Sequence, residues 1–575
     1  MAASGDVCQG ARCSRLHSAL FFKENRLCKD LTMFLLLTEA LKPQDMEATP
    51  TSGFKSESCL KRSLESLLGG SECAVKWPRL SGCLSVGETT FDGEELVDGA
   101  GESKGKDSHL QDDSSENLTP SQESPEELKE DLTKEDSEST KEEAPSEQTQ
   151  SIETRVEEVE DSQFDDSGED LVRKGKEIFI QGFNWESHKQ RWWVTLKEKV
   201  PELASWGFTS MWLPPICDSL APQGYLPKDL YNLNSAYGSE AELKSLLRDM
   251  KKNGLKPMAD IVINHRVGST RGVGDLYNRY DGWSMPWDEY AVTSDSGGLG
   301  KPSTGIEVFK GIPNLDHSNE VVSNDLKHWL QWLLKDVGFE CFRFDFAKGY
   351  SPRFVKAYIE ASKPRLAVGE YWDTCKYTGP KYILDYDQDA HRQRTIDWID
   401  GTGGLSCAFD FTTKAILQEA CAKKEWYRLR DVQGRPSGLL GVWPSRAVTF
   451  IDNHDTGSTQ AHWPFPRKCV AQGYAYILTH PGLPSVFYDH LYEWSSGLKQ
   501  SILDLIKIRK TQEIHSRSHV TIVEADKDGY SALIDNKLCV RLGSTEWTPA
   551  DGPWDLALSG RGFTIYTKPK PLLSA

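Results

Sequence analysis

Between Phe91 and Phe164 the chain has no phenylalanine, tryptophan or tyrosine; Ser, Glu, Asp, Lys, Thr and Pro dominate it. Such a segment cannot bury enough apolar surface to offset the entropy of ordering, which predicts a solvated, disordered linker. Residues 101–170 hold 25 Asp and Glu against 6 Lys and Arg, and so carry the whole formal charge of −19. The rest of the chain is neutral in sum. No basic surface is indicated in the folded part, and nothing in the charge pattern calls for nucleic acid. The thirteen cysteines contain no C-x-x-C pair and no regular spacing, which argues against zinc sites and a disulfide scaffold. Cys341 and Cys407 lie in apolar runs, where free buried thiols are common. No hydrophobic run reaches membrane-spanning length, and the apolar MFLLLTEAL at 33–41 is too short and badly placed for a secretory signal. A soluble protein of a reducing compartment is expected.

What remains is rich in structure. At 575 residues the chain is too long for one compact core. Residues 1–90 form a mixed N-terminal region whose start, basic and poor in acids, resembles an organelle transit peptide. Residues 91–173 are the linker. Composition changes at Lys174, beyond which lie 17 of the 18 tryptophans. From Glu177 onward short apolar runs alternate with amphipathic ones: EIFIQGF, TSMWLPP, LKPMADIVINH, ECFRFDF, RLAVGEYW, SCAFDF, SRAVTFIDNHD and GLPSVFYDH. Ser239 and Gly254 bound a helix over SEAELKSLLRDMKKNG. Eight near-continuously apolar strands alternating with helices predict a parallel sheet closed into a (β/α)8 barrel over 174–510. The helix-free stretch 266–316 predicts an inserted lobe after the third strand. From Thr511 on, alternating residues and turn signals such as DKDG predict a C-terminal antiparallel β domain over 511–575.

The fourth strand raises the functional question. GFECFRFDFAKGY at 338–350 places Arg343, Asp345 and Lys348 in an apolar run, where charge is costly. A packing ion pair is one explanation; a strand end opening into an active site is the other. Barrel enzymes carry their chemistry at the C-terminal strand ends. There the sequence places Asp260, Asn264 and His265 after strand three, Arg343 and Asp345 after four, Glu370 after five, and Asp452, His454 and Asp455 after seven. Polar residues retained only for packing would rarely share one end. No serine elbow or glycine-rich phosphate loop competes, so carboxylate chemistry is expected, with glycoside hydrolysis its leading form. Trp185, Trp212, Tyr225 and Trp372 suit stacking on sugar faces, although aromatics also fill barrel cores.

DIVINH (260–265), FRFDFAKGY (342–350), GEYW (369–372) and FIDNHD (450–455) resemble, in order and spacing, the four motifs of the alpha-amylase family of glycoside hydrolases. QGFNWESHKQ, GYLPKDLYNLNSAYG, YDQDAHRQR, FDFTTKAIL and QGYAYILTHPGLP are similar to its plant branch, and GEYWD and PNLDHS to the plastid type. The resemblance runs from Glu177 to the C-terminus and implies an endo-acting, retaining α-1,4-glucan hydrolase. It implies Asp345 as nucleophile, Glu370 as general acid and base, and Asp455 as stabiliser of the transition state. It further implies substrate contacts from Tyr225, His265, Arg343, Lys348, Trp372 and His454. Starch, amylose, amylopectin or malto-oligosaccharides are the implied partners, with a monomer, no membrane and a plastid or cytoplasmic location. The family's calcium ion would sit between lobe and barrel on Asn264, Asn314 and the Gly349 carbonyl. Asn314 stands where secreted members have Asp, and a further acid, expected near Ser303 and Thr304, has no clear match, with Glu307 a candidate substitute. Weak or conditional calcium binding is therefore expected. GVWP at 441–444 lacks one of two adjacent tryptophans that form a surface starch-binding patch in cereal enzymes. Two other readings share the fold: a non-catalytic glucan-binding protein, and a transglycosylase or debranching relative. Retention of all three acids speaks against the first, and product analysis on linear and branched glucan separates the second.

Overall fold

The computed structural model describes residues 175–543, 547–550 and 552–569, all within one compact unit. The expected N-terminal region and acidic linker lie outside the described residues. Eight parallel strands form a closed barrel: β1 (Phe179–Gln181), β2 (Ser210–Trp212), β3 (Lys256–Ile261), β4 (Cys341–Phe344), β5 (Leu366–Gly369), β6 (Cys407–Phe409), β7 (Ala447–Thr449) and β8 (Leu483–Phe487). Each falls inside one of the eight apolar runs of the sequence. All but the first residue of β3 are buried, as expected of a sheet covered on both faces. The strands are shorter than the runs. Consequently Asn264 and His265 lie beyond β3, and Asp452, His454 and Asp455 lie on the loop after β7 rather than on the strand itself.

Around the barrel run α1 (Trp192–Trp206), α2 (Glu240–Lys252), α3 (Glu320–Trp332), α4 (Pro352–Ser362), α5 (Asp389–Gly401), α6 (Phe411–Lys423), α7 (Val470–Thr479), α8 (Tyr488–Tyr492) and α9 (Ser496–Thr511). α2 begins where the sequence indicates: the Ser239 hydroxyl accepts from Glu242 N while the Glu242 carboxylate accepts from Ser239 N, a reciprocal cap. It ends at Asn253, with Gly254 beyond it at φ 73°.

The lobe after β3 contains three short 3-10 turns and no α-helix. Backbone bonds close its base on the barrel, from Leu315 N to Asn264 O (2.9 Å) and from Arg266 N to Pro313 O (3.0 Å). Arg266, fully buried, fastens it further. Its guanidinium lies over Tyr280, Trp283 and Trp287 at 4.7, 5.3 and 4.9 Å, and donates to the carbonyls of Lys228 and Met285.

The C-terminal sheet is antiparallel, with strands β9 (Val520–Ala525), β10 (Gly529–Ile534), β11 (Leu538–Gly543), β12 (Asp555–Gly560) and β13 (Phe563–Thr567) in the order 9-10-11-13-12. It is joined to the barrel's helices by polar contacts: Gln472 Nε2 to Gly562 O (2.8 Å) from α7, and a buried hydrogen bond between His480 Nε2 and the Tyr530 hydroxyl (2.8 Å).

Candidate active site

Strand register builds the site. Asp260 of β3 is level with Arg343 of β4, and Phe344 of β4 is level with Gly369 of β5. The next residues, Asp345 and Glu370, therefore stand side by side at neighbouring strand ends, about 4.8 Å apart in backbone spacing. Arg343 gathers their side chains. Its Nη1 donates to Asp260 Oδ1 (2.7 Å) and Asp345 Oδ1 (2.5 Å), and Nη2 lies 2.7 Å from Glu370 Oε1. The two carboxylates are thus separated by no more than one guanidinium and two polar contacts. Arg343 itself is fully buried, with its charge over the Trp212 ring at 4.8 Å.

Asp260 secures the arrangement from below. It also accepts from Trp212 Nε1 (3.0 Å) and the Tyr225 hydroxyl (2.9 Å), and burial raises its pKa to about 7. Burial likewise pushes the Asp345 and Glu370 carboxyls up, with Arg343 drawing both back and Asp455 adding to the rise. The two differ in one respect. Asp345 accepts a true hydrogen bond from Arg343, whereas the Arg343–Glu370 contact is too poorly aligned to be one. Of the pair, Glu370 is the better placed to keep a proton.

Aromatic rings wall the site. Tyr225 lies parallel to His454 (5.1 Å between centroids, 4° between planes), and Trp185 lies parallel to both. His454 Nδ1 accepts from Gln181 Nε2 at 3.1 Å, and its Nε2 is 3.5 Å from Asp455 Oδ2. His265 contacts the Tyr225 carbonyl through Nε2 (2.8 Å) and stacks on Phe309. Burial drives both imidazoles down, to about 3 for His454 and about 4 for His265, so both are neutral donors or acceptors at ordinary pH. The outer residues are differently occupied. One face of Trp372 is stacked against Phe411 (5.1 Å, 8°), and Lys348 is buried in an ion pair with Glu307 of the lobe.

Two supports escaped the sequence reading. Gln181 orients His454. Lys414, buried in α6 and lowered to about 8, donates to Trp463 O and lies 3.8 Å from Asp452, whose carboxylate accepts from Thr456 Oγ1 and Phe465 N. Together these hold the loop that bears His454 and Asp455. The signal for Lys414 was a lone cation inside the apolar FDFTTKAIL.

The expected calcium ligands do come together, but as partners of one another. Asn264 Nδ2 donates to Asn314 Oδ1 (2.9 Å), which also accepts from Phe309 N (2.9 Å). The Gly349 carbonyl accepts from Ser303 Oγ, and a Cβ at Gly349 would run into Asn264 Oδ1. Glu307, the candidate substitute acid, is engaged by Lys348. This set is neutral and hydrogen-bonded to itself, so it does not fit a tight calcium site, whose affinity follows carboxylate count. Among the described residues no cluster of three or more His, Cys, Asp or Glu is placed to hold a metal.

A buried arginine joining carboxylates at the mouth of a parallel barrel, under aromatic walls, defines a glycoside hydrolase of the two-carboxylate class. Residues 186–298 match the model of the alpha amylase catalytic domain, and 511–567 that of the alpha-amylase C-terminal beta-sheet domain. The chain is 59% identical over 398 residues to probable alpha-amylase 2 of Arabidopsis thaliana, covering 69% of this chain and 95% of that one. It is 48% identical over 398 residues to alpha-amylase 3, chloroplastic, of the same plant, covering 68% of this chain but only 44% of that protein. In fold it is similar to the cyclomaltodextrin glucanotransferase CldA, with a TM-score of 0.52 at 17% identity over 68% of this chain and 97% of that one. The chain belongs to the alpha-amylase family.

Proposed function

We propose that the chain hydrolyses internal α-1,4-glucosidic bonds of starch and related glucans with retention of anomeric configuration. The observation that carries this is the single Arg343 guanidinium in contact with both Asp345 and Glu370 at adjacent strand ends. Retention requires carboxyl groups about 5–5.5 Å apart, a spacing that adjacent strands supply.

In this reading Asp345, held ionised by Arg343, attacks the anomeric carbon as the glycosidic C–O bond breaks. Glu370 gives its proton to the departing oxygen. The glycosyl–Asp345 ester is then cleaved by water, whose proton returns to Glu370 as its oxygen bonds to carbon, freeing Asp345. Asp455 balances the positive charge that develops on the sugar. His454, neutral, hydrogen-bonds its hydroxyls, as does His265 once its Nε2 leaves the Tyr225 carbonyl, and Tyr225 stacks under the ring. Lys348 reaches toward the leaving-group side, and Trp372 is a further substrate contact. Calcium, bound weakly or conditionally on Asn264, Asn314 and Gly349, takes no part in these steps. A plastid location is supported by the name of one relative, alpha-amylase 3, chloroplastic, and the chain is read as a monomer.

Incubation of the full chain with amylose tests the reading. Short malto-oligosaccharides released in the α form are expected, and Glu370→Gln should stop their release. No release by the wild type at any pH, with or without calcium, would overturn it.

A further inference from the structure

Among the aromatic residues most open to solvent, two stand side by side and belong to no part of the catalytic cleft. Tyr386 is carried by the loop that leaves Glu370's strand, and Tyr427 by the 3-10 turn after α6. Their rings lie 6.1 Å apart at 29°, with the residues 45% and 39% exposed. Water-exposed aromatic area of this kind is retained at a cost in solvation, and here it is also held rigid. The Tyr386 hydroxyl donates to Arg430 O at 2.9 Å, which fixes its ring before any ligand arrives.

Beside the pair runs a groove of about 220 Å³, with Tyr386, Asp387, Asp389, Thr412, Asp431 and Val432 among its lining. That is smaller than the ~300–1,000 Å³ of a site enclosing a whole small ligand, and suits one unit of a longer chain. Its carboxylates are balanced within the protein: Asp389 by Arg392 (2.6 Å), Asp431 by Arg392 and Arg435 (3.2 and 3.1 Å), and Asp387 by Lys376 (3.9 Å). A carboxylate offers about four acceptor positions; Asp431 fills its own with the Arg392 and Arg435 guanidiniums and the Gln433 and Arg435 amides, so the spare acceptors belong to the exposed Asp387 and Asp389. Flat aromatic faces next to a row of acceptors call for a neutral ligand with apolar C–H faces and many hydroxyl donors. Such a lining offers an anion no unpaired cation and an apolar peptide only Val432 and Ile416 beside the Tyr386 ring. Trp443, the remnant of the cereal tryptophan pair, is buried and cannot serve this purpose.

We propose that Tyr386 and Tyr427 form a second glucan-binding surface, holding a stretch of polymer outside the catalytic cleft. This rests on the glucan hydrolase reading above. The test uses the full chain carrying Tyr386→Ala with Tyr427→Ala, and separately Val432→Arg at the groove's rim, a position 79% exposed. Adsorption to insoluble starch and hydrolysis of soluble maltoheptaose are measured together. Adsorption should weaken about tenfold in the double variant, the loss expected when aromatic contacts worth ~1.4 kcal/mol are removed, and by a similar factor in Val432→Arg, whose long charged side chain fills the groove's rim. The kcat/KM on maltoheptaose should stay within about twofold of wild type. Should the double variant fail to fold, Val432→Arg decides the matter. Adsorption unchanged in the folded variants overturns the proposal. A parallel fall on maltoheptaose also overturns it, because the groove would then belong to the cleft. Inactivity of the wild type on maltoheptaose would instead defeat the hydrolase reading, while starch adsorption is still read directly.

Discussion

Arg343 is the residue on which the site turns, and Asp260 is what makes its burial tolerable. Asp260 takes hydrogen bonds from Arg343, Trp212 and Tyr225, so Asp260→Asn leaves a fully buried guanidinium short of an anion. Removing one partner of a buried pair costs about 3–5 kcal/mol. Thermal unfolding should show a loss of that order, together with weaker sugar binding as Tyr225 loses its anchor. The second residue-scale prediction concerns pH. Glu370 must carry a proton to begin the reaction, and burial, with Asp455 nearby, raises its pKa. Activity should therefore persist above the usual glutamate range and fall as pH rises through the raised value. In Asp455→Asn the neighbouring negative charge is gone, the Glu370 anion is favoured, and the alkaline limb of the residual activity should move to lower pH. A limb that stays in place would mean the charges do not interact. Asp345, Glu370 and Arg343 were all legible in the sequence, because charge inside an apolar strand needs a reason. Gln181 was not, since an amide at a strand end carries no such signal.

At the scale of elements, the barrel strands were readable because burial on both faces leaves unbroken apolar runs, which no loop imitates. Their ends were less so: the run SRAVTFIDNHD continues past β7, and its acids sit on a loop braced by Lys414 from another helix. The small hairpin Tyr377–Thr378 with Ile383–Leu384 was missed altogether, being mostly exposed and too short to show alternation. The family resemblance likewise implied which groups gather between lobe and barrel but not how they bond. With Asn314 accepting from Asn264 and Phe309, the lobe's base is closed by amide hydrogen bonds. Chelation should accordingly shift the unfolding temperature only slightly. Asn314→Asp adds a carboxylate, and calcium should raise the unfolding temperature of that variant more than that of the wild type, as calorimetry can follow. Equal responses would show that this asparagine does not set the affinity. The lobe's stronger fastening is Arg266 among its three rings, a contact between groups far apart in sequence that no local pattern reveals.

For the whole molecule, the question is which parts the barrel needs in order to stand. The similarity to the Arabidopsis probable alpha-amylase 2 takes in 95% of that protein but 69% of this chain. The two chains match over 398 residues, close to the number described here from Gly175 onward. The C-terminal sheet is another matter. Tyr530 of β10 is fully buried, its hydroxyl on His480 between α7 and β8, while Arg509 of α9 donates to the carbonyls of Leu478, His480 and Gly482 in that same junction. The sheet therefore covers the segment that delivers β8, the strand that closes the barrel against β1. Losing it would expose Tyr476, which packs on Tyr530, and the other apolar residues of α7 that the sheet covers, at roughly 1.5–3 kcal/mol for each large apolar side chain. A few such residues together reach the range of about 5–15 kcal/mol by which a folded domain is ordinarily stable. Two deletions should behave oppositely. A chain beginning at Gly175 should keep its kcat/KM on maltoheptaose within about twofold of the full chain. A chain ending at Thr511 should yield no soluble, cooperatively unfolding protein. Soluble and active protein from the second deletion would show that the sheet is an appendage and that β8 is held by the barrel alone.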